Sequence, residues 1–290
     1  MEMNSLLMYS LYAPTWTARK LDKKVTKQAK EANGVDEKVD AGNFNKLILP
    51  DCDELKAVGA HIGATRAWFY TQTAAWGETR GVRVGKAENH MELMLEFGTK
   101  RDMLNPLLDA FGAVYAKKVQ MMEYELQGMF DAKDYPMWDD VRSRFDLRLH
   151  TAPLPKATDI RVLTAIPAHI REELEAELMK EQAKVHEGSI REALGELLGP
   201  VAHMAKQLQA YHDGKSKKIF ASLLDNVREI AGTVDKLNIA RDPNVTALAL
   251  DVLNMVGETT AKDLKDSDLH RVSKIQAAEA LAARIATFMP

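Results

Sequence analysis

The chain has 290 residues, with 39 Lys and Arg against 42 Asp and Glu, so its formal net charge is −3, and 46% of its residues are hydrophobic. That content is ample for a buried core and excludes global disorder, and no apolar run approaches the roughly 20 residues a bilayer-spanning helix needs. The single cysteine, Cys52, cannot form an internal disulfide or a cysteine-based zinc site, and nothing at the N-terminus resembles a secretory leader, so the expectation is a soluble chain of a reducing cytoplasm.

Ser5 to Tyr12 is apolar and aromatic, ends before Pro14, and predicts a short strand. Thr17 to Lys30 predicts a helix, with Leu21, Val25 and Ala29 four apart and Asn33-Gly34 as its stop. A second helix is expected after Pro50, led by Asp51, Asp53 and Glu54, through Leu55, Val58, Ile62, Thr65 and Phe69 to Trp76, and stopped by Gly77. Gly81 to Gly85 predicts a short edge strand. From near Ala87 a long helix is expected, carrying Leu104, Leu108, Phe111, Tyr115, Val119, Met122 and Leu126 at steps of three and four, with Pro106 marking a kink or restart. A short helix is expected at Trp138 to Arg144. Phe145 to Leu149 alternates as a half-buried strand does, suited to pairing with the N-terminal strand.

Pro153 and Pro155 place the main boundary, giving an α+β domain at 1–155 and an all-helical domain at 156–290. Beyond it Ile166, Ile170, Leu174 and Leu178 step by four. Ile190, Leu194, Leu197, Val201, Met204, Leu208 and Tyr211 then form a heptad seam, and Phe220, Leu223, Val227, Ile230, Val234 and Leu237 form a second one after a polar turn. Two such helices joined by a short turn predict an antiparallel, coiled-coil-like hairpin. Gly199-Pro200 interrupts the first seam without changing its phase, which predicts a kink and no reversal. Helices are also expected from Asp242-Pro243 to about Val256, and after Asp266-Ser267-Asp268. The fold class is therefore mainly α, with a small β element in the N-terminal half and an elongated helical hairpin or bundle. A single helix from about 165 to 211 would be about 70 Å long. Part of it must then find an apolar surface outside the main core, in the returning helix or in another copy of the chain.

Chemistry-bearing motifs are sparse. The eight histidines include no pair at i, i+4 spacing, and none lies three residues after a glutamate. His186-Glu187 begins like a zinc-protease motif, but Ile190 stands where the second histidine belongs. Gly81 to Ala87 resembles a phosphate-binding loop one residue short and without its hydroxyl, and Gly214-Lys215-Ser216 lacks the leading glycine and follows a helix. There is no nucleophile elbow. Cys52 lies among Asp51, Asp53 and Glu54, which disfavour the thiolate. The run Glu172, Glu173, Glu175, Glu177 and Glu181 reads as a solvated helix start, and Trp68, Phe69, Tyr70 and Trp76 read as core. No catalytic residue, metal ligand or cofactor is expected. Arg19, Lys20, Lys23, Lys24 and Lys27 form i, i+4 rows on the predicted helix at 18–31, a pattern suited to nucleic-acid phosphates.

Three stretches carry a resemblance in combination: Trp16 to Thr26, Asp40 to Pro50, and Arg66 to Gly77, joined by Asp134-Tyr135-Pro136 and Val141 to Phe145. Together they resemble a domain-of-unknown-function family common in tailed-phage genomes, often encoded near a MoxR-like AAA+ ATPase and a von Willebrand factor A domain protein. The resemblance covers about residues 5–165 and extends to the helical remainder in general character only. It implies a phage protein made in the bacterial host cytoplasm during infection, and it carries over no catalytic residue. The reading favoured by the sequence is a non-enzymatic oligomeric scaffold or adaptor, with the ATPase as the implied protein partner. The alternatives are a nucleic-acid-binding protein using the basic helix, and a hydrolase with dispersed carboxylates.

Overall fold

The computed structural model describes residues 5–76, 81–154, 167–216 and 218–289. Gly77, the boundary at 155–156 and the first member of the Ile166 row lie outside them. The second expected helix ends at Gln72, short of the expected run to Trp76, because Ala74 and Ala75 pair as a strand. The chain forms two compact units, each assembled from separated stretches: 1–10, 68–94 and 150–290 in the first, 11–67 and 95–149 in the second. The described elements are mainly helical with a small antiparallel sheet, as the periodicities require.

In the first unit the sheet runs in the order β4-β5-β1-β6, from β1 (Leu6–Tyr12), β4 (Ala74–Ala75), β5 (Val82–Lys86) and β6 (Arg148–Pro153). The N-terminal strand and the strand before Pro153 are thus neighbours, although β6 starts three residues later than the alternation at Phe145 suggests. The stretch expected as an edge strand is interior. β5 pairs with β1 on one side, in the register Leu6↔Lys86 to Ser10↔Val82, and with β4 on the other. Its amides are therefore committed to sheet pairing and do not form a phosphate cradle. Gly85 has a packing role: a Cβ there would lie 3.2 Å from the ring of Tyr9, whose buried hydroxyl hydrogen-bonds His90 Nδ1 at 3.0 Å. Burial pushes the Tyr9 pKa up to about 12, so the phenol remains neutral.

The helices of this unit are α5 (Ala168–His212), α6 (Ala221–Thr233), α7 (Pro243–Val256), α8 (Ala261–Asp266) and α9 (Asp268–Thr287). Their starts follow local chemistry. Asp242 caps α7 with Pro243 in its first turn, Thr260 and Asp263 form a reciprocal capping box on α8, and the Ser267 side chain caps α9. α5 continues through Pro200, and Leu197 and Val201 on either side are both buried, so the apolar phase survives the proline.

Leu194, Leu197, Val201, Met204 and Leu208 are buried in one continuous core with residues of α6, α7 and α9, and Ile190 packs against it half-buried. α9 returns along the C-terminal half of α5. Arg271 stacks over Tyr211, Asp268 meets His212 at 3.0 Å, and Glu279 and Ala282 face Ala202 and Ala205 across a shallow groove. On α6 the buried positions are Leu224, Val227 and Ala231, continuing to Val234 and Leu237. Leu223 and Ile230 are half-buried, and Phe220 is the exposed residue preceding the helix. The broader stripe has a physical cause: α6 packs against both α5 and α7, so it needs more than a two-helix seam.

Charged pairs within this unit join the sheet and the stretch 88–92 to residues between 192 and 241. Arg83 reaches Glu192 at 2.6 Å, Lys86 reaches Asp235 at 2.7 Å, Lys236 reaches Glu92 at 2.9 Å, and Arg241 reaches Glu88 at 3.0 Å. Arg83 also donates to the Thr73 carbonyl and lies over the Tyr70 ring. Phe69 and Trp76 are core as read from sequence, but Trp68 is half-buried and Tyr70 is 47% exposed.

The second unit contains most of α2 (Asp53–Gln72) and α3 (His90–Leu126), with α1 (Lys23–Ala32), α4 (Trp138–Arg142) and the two-stranded ribbon of β2 (Arg19–Leu21) and β3 (Asn45–Leu47). α3 runs through Pro106 as one helix, so its apolar row from Leu104 to Met122 stays in phase. Phe111 is the hub of an aromatic cluster, edge-on to Trp138 at 5.3 Å, Tyr115 at 5.8 Å and Phe145 at 6.5 Å. Gly112 makes this possible, since a Cβ there would come within 2.7 Å of the Trp138 indole. Gly112→Ala should therefore destabilise the protein by about 1–3 kcal/mol in urea unfolding. Gly98→Ala in the same helix, where a Cβ meets nothing within 4 Å, should stabilise it by about 0.5–1 kcal/mol.

Candidate interaction surfaces

The basic row of the sequence begins differently from the expectation. Arg19 and Lys20 lie in β2, and the helix starts only at Lys23, so the five cations do not share one helix. The causes are local. Ala18 adopts φ +50 and is buried, with its carbonyl accepting from Ile48 N at 2.9 Å, which turns the chain into the ribbon. Asp22 then caps α1 by accepting from Val25 N. Asn33 and Gly34, the latter at φ +66, end the helix where expected.

Alternation along β2 sorts the charges. Arg19 stands opposite Leu47 and Leu21 opposite Asn45 on one face, and Lys20 stands opposite Lys46 on the other. Arg19, Leu21 and Leu47 are exposed. Lys46 is only 7% exposed, 2.8 Å from Asp134 and 3.7 Å from Asp22, and it donates to the Met129 carbonyl at 2.6 Å. Lys20 turns toward the same acids, 3.8 Å from Asp134. Lys27 lies 3.5 Å from Glu37 and 3.9 Å from Glu31, and Lys30 donates to the Glu37 and Val39 carbonyls. Arg19, Lys23 and Lys24 have no acidic partner among the described residues.

The electrostatics of α1 are unfavourable as they stand. Lys23 and Lys24 occupy its first turn, which contains no acid, although the positive end of a helix dipole repels cations. The capping Asp22 is itself paired with buried Lys46. None of the α1 side chains is buried, and a ten-residue helix is marginal by itself.

In the first unit the other surface is the beginning of α5. None of the described side chains from Pro167 to Lys184 is buried. Ile170, Leu174 and Met179 are 38%, 43% and 60% exposed, whereas Leu178 packs half-buried against the cluster of Leu6, Trp76, Val84, Val185 and Ile239. Glu172, Glu173 and Glu177 are exposed and Glu175 and Glu181 half-buried, flanking this apolar row as solvated charges.

Other groups raised by the sequence sit as follows. Cys52 is 1% exposed; burial raises its thiol pKa first and Glu54, 3.5 Å away, adds to this. Burial lowers the pKa of His186, whose Nε2 is buried without a hydrogen-bond partner among the described residues. Among the described residues no group of three or more His, Cys, Asp or Glu is placed to hold a metal ion, and no helix is long and apolar enough to cross a membrane.

Sequence reasoning missed Lys46. Its only local signal is a lysine inside the otherwise apolar Phe44 to Leu49, flanked by asparagine. Lys46→Met should cost about 1–3 kcal/mol in chemical denaturation, because it removes the cation that half-buried Asp22 and Asp134 share and leaves only Lys20 near Asp134. Lys46→Met combined with Asp134→Asn should cost less than the sum of the single changes, because the two side chains are in direct contact.

No family model, curated protein or solved structure matches this chain.

Proposed function

We propose that the chain is a non-enzymatic interaction protein, an oligomeric scaffold or adaptor whose contact element is the N-terminal third of α5. The observation that carries this reading is the contrast within one helix. At 45 residues α5 is about 68 Å long, and from Val185 onward its apolar positions enter a core of the same unit. Before that point Ile170 and Leu174 form an exposed four-step row on a stretch in which no described side chain is buried.

An exposed row of this kind gains stability when a second apolar helix face covers it. The heptad seam from Leu194 to Leu208 is already consumed inside the first unit, so association falls to the Ile170 and Leu174 row. Another copy of the chain supplies an identical row, and symmetry then makes the contact self-complementary. The resemblance to the tailed-phage family adds a bacterial host cytoplasm as the setting and a MoxR-like AAA+ ATPase as the partner for the adaptor form.

Light scattering coupled to size exclusion tests this. The purified chain should show a mass above the 32.4 kDa of one copy, or should join the ATPase at micromolar concentration with nucleotide present. Ile170→Asp with Leu174→Asp should abolish that association while leaving the helical circular dichroism unchanged. A single-copy mass at every concentration together with no ATPase association would refute the reading, as would association indifferent to the two substitutions.

A further inference from the structure

We infer that the exposed row at the start of α5 is covered by a basic amphipathic helix of a partner protein, one that carries Lys or Arg beside its apolar stripe. This rests on the reading that Ile170 and Leu174 are the contact element, and of the two forms of that reading it selects the adaptor.

Charge decides the occupant. Between Ile170 and Glu177 the helix carries one cation, Arg171, against four carboxylates, Glu172, Glu173, Glu175 and Glu177, a net charge of −3. None of the four has a cationic partner among the described residues. Later in the same helix Glu187 meets Arg191 at 3.1 Å and Glu192 meets Arg83 at 2.6 Å. Two of the unpaired carboxylates stand beside the apolar row itself. Side chains three apart are neighbours on a helix, so Glu173 lies next to Ile170 and Glu177 next to Leu174, and both are exposed.

A helix that covers Ile170 and Leu174 also takes water from the edge of this acidic row. A carboxylate that loses water without gaining a cation opposes the apolar contact, and a cation on the covering helix turns that cost into a gain. A second copy of the chain is poorly suited to supply it. Antiparallel, self-complementary pairing brings the same flank of each copy together, so Glu173 and Glu177 would face their own counterparts. A parallel pair still sets two segments of charge −3 side by side. Nucleic acid and anionic lipid are turned away by the same acids. A basic amphipathic helix meets both demands, with its apolar stripe on Ile170 and Leu174 and its cations beside Glu173 and Glu177.

Fluorescence anisotropy tests this with the full chain and a labelled leucine–lysine peptide of about 18 residues, its leucines spaced as one helical stripe. At about 50 mM salt this peptide should bind about tenfold more tightly than the same peptide with glutamate for lysine, and the difference should shrink at about 500 mM. Glu173→Gln with Glu177→Gln should weaken binding about tenfold and flatten its salt dependence. Ile170→Ser with Leu174→Ser should weaken it by about the same factor and leave the salt dependence in place. Neither pair of changes should alter the helical circular dichroism. No binding of the lysine peptide at about 50 mM salt would overturn the inference. So would equal binding of the glutamate peptide, equal binding of a lysine peptide with its leucines scrambled out of helical period, or binding indifferent to Glu173 and Glu177. Self-association that needs Ile170 and Leu174, in a chain that ignores the lysine peptide, would overturn the basic partner and leave the contact element standing. Association and peptide binding both indifferent to Ile170 and Leu174 would overturn the two together.

Discussion

The long helix α5 cannot be served along its whole length by one core. A 45-residue helix extends about 68 Å, and the other helices of its unit have 20 residues or fewer. Apolar coverage is therefore concentrated on one end. From Leu194 to Leu208 the side chains are buried by three neighbouring helices, and Val185 joins the core beneath the sheet. Before that point the helix is charged on most faces and carries an uncovered apolar row. The division of α5 into a consumed part and an available part sets what the first unit can do.

The second unit is organised by a different constraint, the cost of burying charge. Lys46, Asp22 and Asp134 lie together away from water, and each is placed by a separate element: β3, the cap of α1, and the turn before Tyr135. Such a cluster binds these elements together by the penalty for leaving any member alone. It also occupies Asp22, the one acid that would otherwise compensate the first turn of α1. The electropositive surface at Lys23 and Lys24 is thus a consequence of what is buried below it.

Much of this is readable from sequence where one local signal dominates. The strand at Leu6, the stop at Asn33-Gly34, the start at Asp242-Pro243 and the cap at Ser267 each follow from side-chain chemistry that acts within a few residues. The phase of α5 survives Pro200 because Leu197 and Val201 keep their four-residue step. The errors arise where tertiary pairing overrides propensity. Arg19 to Leu21 has a helical composition but is drawn into a ribbon by a partner 24 or more residues away in sequence. The interior place of β5 depends on Ala74 and Ala75, too short a segment to announce a strand. α8 has no counterpart among the expected helices, although Thr260 and Asp263 form its capping box. Assembly of each unit from separated stretches likewise has no local marker, and neither does the burial of Lys46.

Amide hydrogen exchange along α5 tests the central claim most directly. Amides from about Val185 to Leu208 should exchange only through global unfolding. Those from about Ile170 to Lys184 should exchange far faster in dilute protein and slow as concentration or partner is raised. Uniform protection along the whole helix, independent of concentration and partner, would contradict the account.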